Sequence, residues 1–263
     1  MAARLGKKDD SDYFHKRAIG WTASFNEELG LILPKDASGK WVHTDPLSGR
    51  GYVEANAWQA TFGISHDISR LAKLMGGNDS LCHKLDFAFR QSEKQDFVYG
   101  YGNGYVSYAN QPSCSNAHVF SHAGKPWLTQ HWVRRVKEQA YGAVTPDRGY
   151  GGHDEDQGQM GGVSALMAIG LFSLDGGSSR NPQYDITSPV FDEVTIRLNQ
   201  AYYPGKEFVI RTRNNSSENV YIQSARFNGK PLNTYYFSHA DFINGGVLEL
   251  EMGDESNEAW GVE

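Results

Sequence analysis

Apolar residues up to about position 172 recur three and four places apart, and beyond it they alternate with polar ones. The first spacing belongs to helices and the second to strands. "SDYFHKRAIGWTASFNEELG" predicts a helix opening at a capping-type Ser11, with Tyr13, Phe14, Trp21 and Phe25 near helical spacing. "VEANAWQATFGIS" predicts a second helix. "HDISRLAKLMGG" predicts a third, with Ser65 or Asp67 as its cap and Gly76-Gly77 as its stop. "NDSLCHKLDFAFRQSEK" follows the same grammar. "KPWLTQHWVRRVKEQAYG" has proline in its first turn and glycine at its exit, as helix ends prefer. "DQGQMGGVSALMAIGLF" is apolar on nearly every side in its second half, the mark of a helix buried between others.

The alternating segments are "DEVTIRL", "KEFVIRTRN", "NVYIQSARFNG" and "GVLELEMGD", separated by turn-forming "NNSSEN", "NGKP" and "NGG". The pattern therefore predicts an α+β multidomain chain. A helical region spans residues 1–172 with about six helices, and an antiparallel β region spans 173–263. "GGSSRNPQYDITSP" links them. The long loops of the helical part are rich in glycine and aromatics, and they hold the unusual chemistry.

Composition narrows the partners. The chain of 263 residues carries 25 Lys and Arg against 31 Asp and Glu, a net charge of −6 with no basic block. That disfavours a nucleic-acid partner. No apolar run is long enough to span a membrane, and the opening "MAARLGKKDDSDYFHKRA" is not a signal peptide. Six tryptophans and fourteen tyrosines suit the flat faces of sugars, and suit a packed core equally well. Cys82 and Cys114 leave both a disulfide and two separate buried thiols open.

Three loop stretches carry candidate chemistry. "GYVEANAWQATFG" brings Glu54 and Trp58, "YGNGYVSYANQPSCSNAH" brings Asn110 and Gln111, and "HDEDQG" brings Asp154, Glu155 and Asp156. Each has an ordinary reading. Glu54 suits the positive end of a helix, Asp156 suits a helix cap, Asn110 suits a turn, and Trp58 suits a core. Together they match glycoside hydrolysis, in which one carboxylic acid protonates the leaving oxygen and one carboxylate activates water. Aspartates crowded together raise each other's proton affinity unless a cation or hydrogen-bond donors offset the repulsion. Amide oxygens of Asn110 and Gln111 are hard ligands of the kind calcium takes. Zinc-type spacings and phosphate-binding glycine loops are missing.

These blocks, in order, resemble glycoside hydrolase family 92, calcium-dependent, inverting, exo-acting α-mannosidases. "GYVEANAWQATFGISHDISRLAKLMGG" is similar to the family's Glu-Gly-Asn-Ala-Trp-Gln block with its His-Asp and Leu-Met-Gly-Gly continuation. "ANQPSCSNAHVFSHAGKPWLTQHWVRRV" resembles its Gly-Asn-Glu-Pro-Ser block, and "GHDEDQGQMGGVSALMAIGLF" its Gly-(Asp/Asn)-(Glu/Asp)-Asp-x-Gly-x-Met block. The resemblance covers essentially the whole chain.

The resemblance implies Glu54 as general acid, and Asp156 with Asp154 as the base pair. It implies Asn110 and Gln111 as calcium ligands, Trp58 and His66 as substrate-pocket residues, and terminal α-mannose of glycans as substrate. It further implies that residues 1–172 form the C-terminal half of an (α/α)6 toroid. The family's N-terminal β-sandwich and the other half-toroid would be missing from this chain, making it a fragment of a secreted or periplasmic enzyme. Gln111 stands where the family has glutamate, removing one negative charge from the metal site. Ala55 and Ala109 stand where it has glycine, so these turns should not need positive φ. The alternative is a non-catalytic, calcium-dependent carbohydrate-binding protein.

Overall fold

The computed structural model describes residues 1–145 and 158–262. Seven helices precede the β region among the described residues. They are α1 (Lys8–Ala18), α2 (Ala57–Phe62), α3 (Ile68–Leu74), α4 (Asn78–Glu93), α5 (Val119–His122), α6 (Pro126–Gln139) and α7 (Gln159–Ile169). A short antiparallel hairpin of β1 (Phe25–Asn26) and β2 (Leu31–Ile32) lies between α1 and α2.

Local chemistry accounts for most of the helix ends. Gly76 and Gly77 both have positive φ and separate α3 from α4. Pro126 sits in the first turn of α6, where its missing N–H costs nothing. Gly170, left-handed, closes α7, and a Cβ there would meet Pro189 at 2.7 Å. Helix α1 starts at Lys8 instead of Ser11, whose hydroxyl lies inside the helix against His15. It ends at Ala18, so the apolar spacing read through to Phe25 crosses a 3-10 turn (Gly20–Ser24) and a strand. Tyr13 and Phe14 stand more than half exposed. Asp67 occupies the α3 cap position but spends its carboxylate on Trp21 Nε1 at 3.2 Å and Arg70 Nε at 2.7 Å.

The helical core is aromatic. Phe89 packs within about ring-contact distance of Phe97, Tyr108, Phe120 and Trp132, all fully or almost fully buried. Leu81, Leu85, Val133 and Val136 complete it from α4 and α6. Cys82 and Cys114 are both buried and are not joined in a disulfide. Helix α7 buries Met160, Val163 and Met167 on one side but leaves Gly162 and Ala165 exposed, so it is not enclosed all round.

The β region has a second core around Phe208, Ile210, Ile222, Phe237, Leu248 and Met252. Its strands are β3 (Leu171–Phe172), β4 (Gln183–Ile186), β5 (Glu193–Arg197), β6 (Glu207–Arg213), β7 (Tyr221–Phe227), β8 (Lys230–Pro231), β9 (Tyr236–Ser238) and β10 (Gly246–Gly253). They form a three-stranded sheet, β3-β4-β9, and a five-stranded sheet, β5-β6-β10-β7-β8. The five-stranded sheet is mixed and not antiparallel. β10 runs parallel to β6 and antiparallel to β7, inserted between two strands that are neighbours in sequence. Period-two alternation reports which face a residue occupies and is blind to strand direction. The long return through β8, β9 and helix α8 (His239–Asn244) supplies the crossover that a parallel pair needs.

A polar seam joins the two cores. Gln130 of α6 accepts from the N–H of Ile222 at 2.9 Å, and Arg134 donates to Pro189 O and Asn215 Oδ1. His122 meets the buried Asp185 at 2.9 Å. Beside it, His118 is fully buried and stacked on Phe172, with ring centroids 3.6 Å apart and planes 2° from parallel.

Burial, with His122 adding a smaller effect, pushes the His118 imidazole down from 6.5 to about 3. The folded protein therefore holds it neutral while an unfolded chain protonates near pH 6.5. Its stabilising contribution is complete above pH 6.5 and is lost as pH falls from 6.5 toward 3. Burial raises the Asp185 carboxyl instead, an effect of opposite slope confined to pH above 3.8. His118→Phe keeps the stack and removes the titration. Its urea midpoint should fall less between pH 7 and pH 5 than that of the wild type. Equal falls in the two proteins would assign the acid sensitivity to other groups.

Candidate active site

Glu54 stands three residues before α2, in a turn where it takes a left-handed backbone, φ +54°. For a residue with a Cβ this conformation costs about 1–2 kcal/mol, and such strain concentrates at functional sites. Ala55 and Ala109 are not among the described residues with positive φ, so the unusual backbone falls on the glutamate itself.

Asn56 holds the turn. Its Oδ1 accepts from the N–H groups of Trp58 and Gln59, capping α2. Its Nδ2 donates to the carbonyls of Gly102 at 2.9 Å and Gly104 at 2.8 Å. Gln59 Nε2 adds a bond to Asn103 O at 2.6 Å. The glycine-rich loop Gly100–Gly104 is thereby fastened against the start of α2. It can approach because Gly102 has positive φ and no side chain, and a Cβ there would sit 3.2 Å from the Ala55 carbonyl oxygen.

The same loop leads to Asn110, which is 3% exposed. Tyr108 anchors this stretch in the core, its hydroxyl accepting from Ala117 N and its carbonyl accepting from Tyr141 Oη. Asn110 Nδ2 donates to Glu54 Oε2 at 2.9 Å across 56 residues of sequence. Asn110 Oδ1 accepts from the N–H of Gln111 at 2.8 Å. The side chain of Gln111 is exposed. Cys114 Sγ, 3.5 Å from Asn110 O, also lies 4.0 Å from Met160 Sδ in the first turn of α7.

Two of the sequence-predicted site residues, Glu54 and Asn110, are thus in direct contact. Gln111 is bonded to Asn110 through its backbone. Trp58 is 8% exposed, with its ring between Phe87, Tyr105 and the Lys84 ammonium, which lies 4.9 Å from the ring centroid. Desolvation lowers the pKa of that ammonium. His66 is exposed, and its ring nitrogen meets Ala18 O at 2.9 Å at the end of α1. Asp154 and Asp156 lie outside the described residues, as does Glu155.

The donor chemistry bears on calcium. No group of three His, Cys, Asp or Glu gathers to hold a metal among the described residues. Asn110 fits poorly as a ligand, because its NH2 faces the Glu54 carboxyl and its oxygen already accepts from Gln111. Gln111 presents an exposed amide, a suitable oxygen for a hard cation. Sequence reasoning missed Asn56 and Gln59, although an asparagine directly before an apolar helical run is a recognisable cap.

The sequence pattern of the Glycosyl hydrolase family 92 catalytic domain matches residues 1–254. The chain belongs to this family. Its whole length superposes on a family GH92 alpha-mannosidase from Bacteroides thetaiotaomicron with a TM-score of 0.86 and 25% identity, covering 33% of that chain. A family GH92 inverting mannosidase from the same organism gives a TM-score of 0.84 at 29% identity, with 100% of this chain and 36% of that one covered. A protein of Arthroderma benhamiae named as an uncharacterized secreted glycosidase is 29% identical over 275 residues, spanning 98% of this chain and 32% of the relative. The chain thus spans about a third of the length of these relatives.

Proposed function

We propose that this chain carries the catalytic-centre portion of an inverting, exo-acting α-mannosidase. The observation that carries the reading is the contact between Glu54 and Asn110, which unites two motif loops around one exposed carboxyl group. In the proposed reaction Glu54 gives its proton to the glycosidic oxygen as the bond from C1 to that oxygen breaks. A water attacks C1 from the opposite face and passes a proton to Asp156, with Asp154 beside it. Mannose of inverted configuration and a free alcohol result.

The base assignment rests on the motif. It is supported by the start of α7, where Met160, four residues after Asp156, packs against Cys114 of the Asn110 turn. Glu54 and Asp156 should face each other about 6.5–9.5 Å apart, the separation that leaves room for the attacking water. Calcium belongs to the same proposal, held by Gln111 and the carboxylates near Asp156. When bound, it supplies positive charge to sugar hydroxyls and offsets repulsion between the aspartates. Terminal α-mannose of glycans is the proposed substrate, in a secreted or periplasmic setting, and the Arthroderma benhamiae relative is named as secreted. The remainder of a family member, a β-sandwich and the complementary half-toroid, is the proposed structural partner. No helix among the described residues is long and apolar enough to cross a membrane.

The test is hydrolysis of an aryl α-mannoside, followed by proton NMR before mutarotation, with and without a chelator. Release of β-mannose, suppressed by the chelator, is expected. α-Mannose as the first product would overturn inversion. Calcium-dependent mannoside binding without turnover would make the chain a binding protein.

A further inference from the structure

We infer that Asn110 is a positioning residue for the Glu54 carboxyl group and not a calcium ligand. This inference rests on the mannosidase reading for its chemistry and on hydrogen-bond geometry for its assignment. Asn110 is almost completely buried, so its amide has few alternatives to the partners it makes. The orientation of that amide is fixed from both sides. Its oxygen accepts from the N–H of Gln111 at 2.8 Å, and its nitrogen donates to Glu54 Oε2 at 2.9 Å. Turning the amide over would set NH2 against the N–H of Gln111, a repulsive contact in place of a bond, and would take the N–H away from Glu54 Oε2.

The consequence for Glu54 is directional. An oxygen that already accepts an N–H bond is the poorer place for a proton, so Oε2 stays the acceptor and Oε1 carries the acidic hydrogen. When that hydrogen moves to the leaving oxygen, the electron pair of the broken O–H bond stays on Glu54. The resulting carboxylate keeps the Asn110 N–H bond, which strengthens as the acceptor becomes charged. The bond is thus worth more after proton transfer than before it, the condition for a catalytic contribution. Glu54 needs such a guide because its side chain is exposed and its strained turn fixes only the backbone.

The calcium-ligand reading makes the opposite demand. It would turn the Asn110 oxygen toward the metal while that oxygen caps Gln111. It would also bring a cation beside an amide nitrogen that donates to the adjacent carboxyl.

The experiment compares wild type, Asn110→Ala and Gln111→Ala in the full chain, by three readouts. Calorimetric calcium titration should give Asn110→Ala within about twofold of the wild-type affinity. Hydrolysis of two aryl α-mannosides should separate, with about a 10- to 100-fold loss in kcat for the poor leaving group and little for the good one, since misplacing a proton donor acts only where a proton is needed. A crystal structure of Asn110→Ala should show the Glu54 carboxyl displaced with the surrounding loop unchanged. Loss of calcium binding in Asn110→Ala would overturn the inference, and so would an unmoved Glu54 or equal losses on both substrates. If the wild type hydrolyses neither mannoside even with the remainder of a family member supplied, the mannosidase reading fails while titration and crystal structure still judge Asn110.

Discussion

Glu54→Gln should slow hydrolysis of α-mannosides with poor leaving groups by about 10²–10⁴-fold, the usual worth of a positioned general acid. For an aryl mannoside with a good leaving group the loss should stay below about tenfold, because a stable leaving anion hardly needs a proton. The substitution is well suited to the question. The introduced amide has the shape of the carboxyl and still offers an oxygen to the Asn110 N–H, which donates to Glu54 Oε2 at 2.9 Å. Position is preserved and the transferable proton is removed. Because Glu54 is exposed, the change should leave the thermal midpoint almost unmoved. Michaelis constants and kcat on the two substrates give the answer. Equal slowing of both would remove Glu54 from the acid role, and full activity on both would remove it from the mechanism.

The Glu54 site also shows where sequence reading reaches its limit. Helices α3, α4, α6 and α7 were legible because glycine or proline punctuates their ends. α1 was misread because Ser11, an ordinary cap residue, happens to lie inside it, while the true N-cap is Lys7. The alternation in "KEFVIRTRN" and "GVLELEMGD" marks two strands correctly, yet their parallel pairing depends on a crossover that no local period encodes. At the site, Glu54 and Asn110 were visible as separate motif residues. Their contact was not, because it depends on Tyr108 and Asn56 fixing two distant loops against each other. The family blocks supplied the roles of Asp154 and Asp156, and those residues lie outside the described structure.

Asn56→Ala should be among the most damaging single substitutions in the helical region, although Asn56 touches no reacting group. The residue is fully buried and makes four hydrogen bonds, two as the cap of α2 and two as a clamp on the carbonyls of Gly102 and Gly104. Losing the cap costs about 0.5–2 kcal/mol. The Gly102 carbonyl, left buried without a partner, adds about 1–3 kcal/mol, and the Gly104 carbonyl adds less, being half-buried and still 3.4 Å from Gln59 Nε2. A total of about 2–4 kcal/mol follows once partial relaxation is allowed, a large share of the 5–15 kcal/mol that holds a typical domain together. Asn56→Ser separates the two roles, since a serine hydroxyl can still cap α2 but cannot reach both loop carbonyls. It should fall between alanine and wild type in urea unfolding. In folded protein it should still lower turnover, because the freed loop no longer fixes the turn that carries Glu54. If serine matched wild type in both stability and turnover, the loop clamp would be dispensable. If alanine cost less than about 1 kcal/mol, the four bonds would be worth no more than the weakest cap, and the strained Glu54 turn would have to be held by something else.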